Sequence, residues 1–142
     1  MSLSLFEKII DDIMLNVIYN NGGIAMDMAS VMSKKEFVIV GDTLNEEKFA
    51  CKIKNAMLEN GYGVHCVGKE LVSINDVPSE IDIIDLCIRA DKGLELLKEC
   101  DKKYKGVVLQ PGASSDEIKS FLDEKSIPYI DGCLLVGLKN YR

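Results

Sequence analysis

Apolar residues along this chain fall first on a single helical face and then into short blocks separated by polar turns. From Ser4 onward, Phe6, Ile10, Ile13, Met14, Val17 and Ile18 line one side of a helix while Glu7, Lys8, Asp11, Asp12 and Asn16 cover the other. Ser4 and Glu7 have capping-box spacing, and Asn20-Asn-Gly-Gly23 supplies the stop. A second short helix is expected from Ala25 to about Lys34, turning Met28, Val31 and Met32 inward. These pieces define a helical extension over residues 1–34.

From residue 35 to 142 the periodicity changes to an alternation of strands and helices. Phe37-Val-Ile-Val40 is a run of strand formers that ends at Gly41. Phe49, Ile53, Ala56 and Met57 then mark a helix stopped by Asn60-Gly61, and Val64-His-Cys-Val67 reads as a second strand. After a linker containing Asp76-Val-Pro78, the third strand falls within Ile81–Ile88 and is followed by a helix carrying Leu94, Leu97 and Cys100. Val107–Gln110 is the fourth strand and Ser115–Lys125 a helix around Ile118, Phe121 and Leu122. Pro128-Tyr-Ile130 is a short fifth strand. Strands joined through helices predict an α/β fold, a parallel sheet of about five strands in three layers, with helices on both faces. The order 3-2-1-4-5 is expected, which sets the first and fourth strands side by side at the topological switch point.

The densest local signal is Val107-Val-Leu-Gln-Pro-Gly-Ala-Ser-Ser-Asp-Glu117. An apolar strand empties through Pro111-Gly112 into a helix, and Ser114 with Glu117 has the S-x-x-E spacing of a capping box. A helix start at the carboxyl end of a parallel strand offers free N–H groups and a partial positive charge to an anion. Together with the Gly41-Asp-Thr loop it predicts one crevice.

Composition narrows the function classes. With 47% apolar and 28% charged residues and three prolines in 142, the chain is an ordinary globular one of single-domain length. No apolar run reaches the roughly 18 residues that cross a bilayer, and the N-terminus lacks signal-peptide character, so a cytoplasmic protein without membrane association is expected. A net charge of −6 with no long basic cluster argues against nucleic acid as a partner. Five cysteines without a C-x-x-C pair, and His65 alone, give no metal set. Cys133, flanked by Leu134-Leu-Val136, is expected as a buried, inert thiol. His65 reads as a structural histidine, and Asp82 and Asp85, at odd spacing on a strand, as carboxylates on opposite faces. No catalytic residues are assigned.

The ordered fragments Val38-Ile-Val-Gly41, Glu47-Lys-Phe-Ala-Cys-Lys-Ile53, Gly61-Tyr-Gly-Val64, Val77-Pro-Ser-Glu-Ile-Asp82, Arg89, Leu109-Gln-Pro-Gly-Ala-Ser114 and Cys133-Leu-Leu-Val136 resemble the small stand-alone CoA-binding domain family. That family is Rossmann-like and related to the nucleotide-binding part of succinate-CoA ligase alpha subunits, and the resemblance runs from about Lys35 to Leu138. It implies coenzyme A in the crevice, with the diphosphate near the loop after the first strand and the adenosine over the second strand. The residues it points to are Gly41, Asp42, Thr43 and Lys48, then Val67, Gly68 and Lys69, then Arg89, and finally Gln110, Pro111 and Gly112. Gly41 would admit a phosphate to the backbone and Thr43 would add a hydroxyl, while Lys48, Lys69 and Arg89 would neutralise charge.

Two stretches differ from the family. Gly41-Asp42-Thr43 replaces its Gly-Ala-Ser and is followed by Glu46 and Glu47, placing three carboxylates near a phosphate site. Val67-Gly68-Lys69 replaces its Val-Asn-Pro. The leading expectation is a non-enzymatic CoA or acyl-CoA binding module that senses or regulates. The alternative is a degenerate Rossmann-like domain without nucleotide, acting through a homodimer or partner surface, and a third reading is one subunit of a split CoA ligase.

Overall fold

The computed structural model describes residues 26–141, so the helix expected from Ser4 to Asn20 lies outside the described residues. A five-residue helix, α1 (Met28–Met32), is capped by Asp27, whose carboxylate accepts the Ser30 N–H at 2.8 Å. Five parallel strands follow: β1 (Glu36–Gly41), β2 (Gly63–Gly68), β3 (Ile83–Leu86), β4 (Gly106–Leu109) and β5 (Tyr129–Asp131). The helices between and after them are α2 (Phe49–Glu59), α3 (Ala90–Glu99), α4 (Asp116–Glu124) and α5 (Leu134–Tyr141), with a single 3-10 turn at Ile74–Asp76. Among the described residues no helix is long and apolar enough to cross a membrane.

The sheet order is β2-β1-β3-β4-β5, which corrects the expected 3-2-1-4-5 within the same parallel three-layer class. β3 is buried along its whole length and needs a partner on each side, which the interior position between β1 and β4 gives it. β2 carries the half-buried His65 and takes the edge instead. The first and fourth strands are therefore separated by β3, and the switch point lies between β1 and β3.

Alternation along the strands sorts the core into two layers. Val38, Val40, Ile84, Leu86, Val107 and Leu109 pack against Leu97 of α3 and against Ile118 and Leu122 of α4. Phe37, Ile39, Ile83 and Val108 face α1, α2 and α5 through Val31, Met32, Ile53, Met57, Leu134 and Leu138. Tyr62 locks α1 to this layer: its ring meets Phe37 edge-on at 5.3 Å and its hydroxyl donates to the Met32 carbonyl at 2.8 Å. The short helix before residue 35 thus shares the core of the body.

Two local expectations shift. Ser115, not Ser114, is the N-cap of α4, its hydroxyl accepting the Ile118 N–H at 3.2 Å. The Leu134-Leu-Val136 run opens a helix, α5, which the pattern had not announced.

Candidate functional site

β1 and β3 are neighbours, but the chain leaves them toward opposite faces: α2 packs in one core layer and α3 in the other. The loops after these strands diverge, and a crevice of about 780 Å³ opens at the carboxyl edge of the sheet. That volume lies within the range of small-molecule sites.

Two glycines shape its floor. Gly41 ends β1 at φ +154°, and a Cβ there would stand 2.6 Å from the Cys87 carbonyl oxygen. Its register partner Gly68 ends β2 at φ +129°, with a Cβ 2.7 Å from the Gly41 carbonyl oxygen. Only residues without a side chain let these strand ends approach so closely.

Gly41, Asp42, Lys48, Gly68, Lys69 and Arg89 line the crevice, as do Gln110, Pro111 and Gly112. The last three form a turn closed by the Ala113 N–H to the Gln110 carbonyl at 2.9 Å, with Gly112 at φ +91°. Pro at the second turn position and a left-handed glycine at the third are what a type II turn requires.

Thr43 and Val67 do not line the crevice. Val67 is buried in the core beneath it. Thr43 is also buried, and its hydroxyl, instead of facing a ligand, donates to Glu70 Oε2 at 2.5 Å, where Lys54 Nζ also arrives at 3.1 Å. The Thr43 hydroxyl, then the Lys54 ammonium, hold the Glu70 carboxyl below its ordinary range against the opposing pull of partial burial. Thr43 therefore ties the loop after β1 to the turn after β2.

Of the three acidic residues expected beside this site, only Asp42 lines it; Glu46 and Glu47 are exposed outside it. Asp42 Oδ1 accepts the N–H groups of Leu44 at 3.2 Å and Asn45 at 3.1 Å, an Asx turn that satisfies the loop's own donors. Three cations, Lys48, Lys69 and Arg89, line the crevice together with this one carboxylate. Arg89, at the start of α3, is exposed and lies 3.4 Å from the equally exposed Asp91, a contact worth little in water.

The pattern missed an apolar wall. Phe49, Ala50, Cys87, Ile88 and Cys133 also line the crevice. Phe49, one of the apolar positions that mark the helix, is 66% exposed; Cys133 had been expected buried and is half-buried. Burial, then the neighbouring Asp85 carboxyl and Cys133 thiol, push the Cys87 thiol up to about 12, so it stays protonated.

Asp85 is the other residue whose place the sequence did not reveal. It stands in β3 between Ile39 and Val108, wholly buried. Gln110 Nε2 donates to its Oδ1 at 2.8 Å, and its Oδ2 has no partner among the described residues. Burial raises its pKa to about 7, the Gln110 hydrogen bond pulling weakly the other way. Asp82 does not cooperate with it: it lies before β3 at the opposite edge, accepting from the Lys35 and Glu36 N–H groups at 3.1 and 2.9 Å and pairing with Lys105 at 2.8 Å. Burial pushes the Asp82 carboxyl up, but these donors outweigh it and set its pKa at about 2. His65 lies on β2, away from the crevice lining, and the described residues hold no cluster of three or more His, Cys, Asp or Glu that suits a metal.

A family model described as a CoA binding domain matches residues 35–139. No curated protein matches the chain. Among solved structures, a hypothetical protein from Pyrococcus horikoshii OT3 is 21% identical with a TM-score of 0.72, over 81% of this chain and 89% of that one. A Thermus thermophilus protein is 21% identical with a TM-score of 0.69, over 82% and 100%. A conserved hypothetical protein from Pyrococcus furiosus is 23% identical with a TM-score of 0.63, over 72% and 98%. At these identities the likeness is one of fold.

Proposed function

Because the chain belongs to the CoA binding domain family, we propose that its crevice binds coenzyme A or an acyl-CoA and catalyses no reaction on it, serving as a sensor or regulatory module. The observation that carries this reading is that one crevice holds both cations and an apolar wall. Lys48, Lys69 and Arg89 stand after the ends of β1, β2 and β3, and Phe49, Ala50, Cys87, Ile88, Pro111 and Cys133 make an apolar wall that runs beside them and on past β4 and β5. A ligand with phosphates and a long, weakly polar arm fits that lining. The phosphates would lie against the cations and the arm, with any acyl group, along the wall. Gly41 and Gly68 keep the floor low enough for such a ligand to lie across the strand ends.

The non-catalytic reading is supported by the chemistry of two groups at the crevice. The Cys87 thiol is held protonated near 12 and so is a poor nucleophile. Asp85, whose pKa of about 7 would suit a general base, is sealed below the floor.

Thermal unfolding of the full chain with CoA, acetyl-CoA, NAD and ATP in parallel tests the assignment. A ligand at a hundred times its dissociation constant stabilises by about 2.7 kcal/mol, a readily visible shift. CoA and acetyl-CoA are expected to raise the transition and NAD and ATP to leave it nearly unmoved. A protein that responds to no CoA species at millimolar concentration does not have this function.

A further inference from the structure

Gln110 is 4% exposed yet lines the crevice, so it offers a ligand very little surface. Asp85 holds one end of its side-chain amide. Its Oδ1 accepts from Gln110 Nε2 at 2.8 Å, and that bond turns the amide nitrogen inward. The carbonyl oxygen Oε1 is left with no hydrogen-bond donor among the described residues.

We propose that Gln110 Oε1 is a hydrogen-bond acceptor for an amide N–H of the ligand's pantetheine arm, and that Asp85 is the positioning residue that fixes it in that role. The inference rests on the CoA reading and deepens it. CoA carries donors of two kinds, the adenine amino group and the arm amides. β2, where the adenosine is expected, and β4, which ends just before Gln110, are three strand spacings apart, about 14 Å. A ligand lying across the strand ends from β2 therefore meets Gln110 with its arm. The apolar residues Ile88, Pro111 and Cys133 share the lining with Gln110, and an acceptor left unmatched against a bound ligand costs affinity. A wholly buried carboxyl group with one oxygen lacking a partner among the described residues costs stability, which suits a residue kept to orient another.

Calorimetric titration of the full chain with CoA, and with its adenosine bisphosphate half, which lacks the arm, tests this directly. Gln110→Leu removes the acceptor; Asp85→Leu removes the anchor with an apolar side chain of similar size. Each is expected to weaken CoA about tenfold while leaving the adenosine bisphosphate half unchanged. CoA affinity equal to wild type in Gln110→Leu overturns the acceptor, and equal affinity in Asp85→Leu overturns the positioning role. Should either variant fail to fold, a CoA analogue with esters in place of the arm amides gives the answer on the unaltered protein: about tenfold weaker binding is expected, and equal affinity overturns the proposal. If wild type takes up neither CoA nor its adenosine half, the CoA reading itself has failed and this inference with it.

Discussion

Asp42 closes its own loop. By accepting the Leu44 and Asn45 N–H groups it occupies donors that a loop at this position otherwise holds out to a phosphate, and it leaves its charge in the crevice. Asp42→Asn keeps both hydrogen bonds and removes the charge. A unit charge about 4 Å from another is worth roughly 1 kcal/mol in water and about four times that near a protein surface. CoA should therefore bind several-fold to tenfold more tightly to this variant by titration calorimetry; equal or weaker binding would show that Asp42 does not oppose the phosphates. Two carboxyls, the half-buried Asp82 and the wholly buried Asp85, set the pH response. Asp82, lowered to about 2, contributes stability present above its unfolded value of 3.8 and lost as pH falls toward 2. Asp85, raised to about 7, holds its proton in the folded state, so stability is greatest below 3.8 and declines as pH rises through 7. Urea unfolding across this span should show a falling limb toward neutrality that Asp85→Leu abolishes and a rising limb from acid that Asp82→Asn abolishes.

At the scale of elements, the crevice depends on how closely β1 and β2 end beside the loop after β3. Gly41→Ala introduces a Cβ against the Cys87 carbonyl at a backbone angle that side chains rarely adopt. It should cost about 1–3 kcal/mol or more by urea denaturation, with Gly68→Ala behaving alike. The strands and most helices were legible because each is a short apolar block or a helical stripe between turn residues, as at Val107–Leu109 and Ile118–Leu122. The capping serine was displaced by one because Ser114 and Ser115 stand together and the S-x-x-E spacing favoured the wrong one. α5 was hidden by Gly137, a weak helix former at its centre. A Cβ at Gly137 would lie 2.7 Å from Met32 Sδ and 2.8 Å from Met28 Cε, so the glycine serves the contact with α1, which no local pattern announces. Strand order needed the same tertiary information: His65 in β2 and the unbroken burial of β3 mark edge and interior only once pairing is known.

Across the whole molecule, the site is assembled from the carboxyl ends of β1 to β4 and from Cys133 just after β5. Gly41, Arg89 and the Gln110-Pro-Gly112 turn could be placed there from sequence because any parallel order brings strand ends to one edge. The apolar wall could not, since Phe49 at a helix start and Cys87-Ile88 after a strand look like core until the crevice between diverging loops exposes them. Nor could the turning away of Thr43, which depends on Glu70 being drawn in beside Lys54. The central claim is that this crevice holds CoA with its phosphates against Lys48, Lys69 and Arg89. Its most direct measurement is isothermal titration of the full-length chain with CoA at low and high salt. Saturable binding of one CoA per chain, weakened as salt screens the phosphate contacts, is the result expected. No saturable binding at millimolar CoA in either buffer would contradict it.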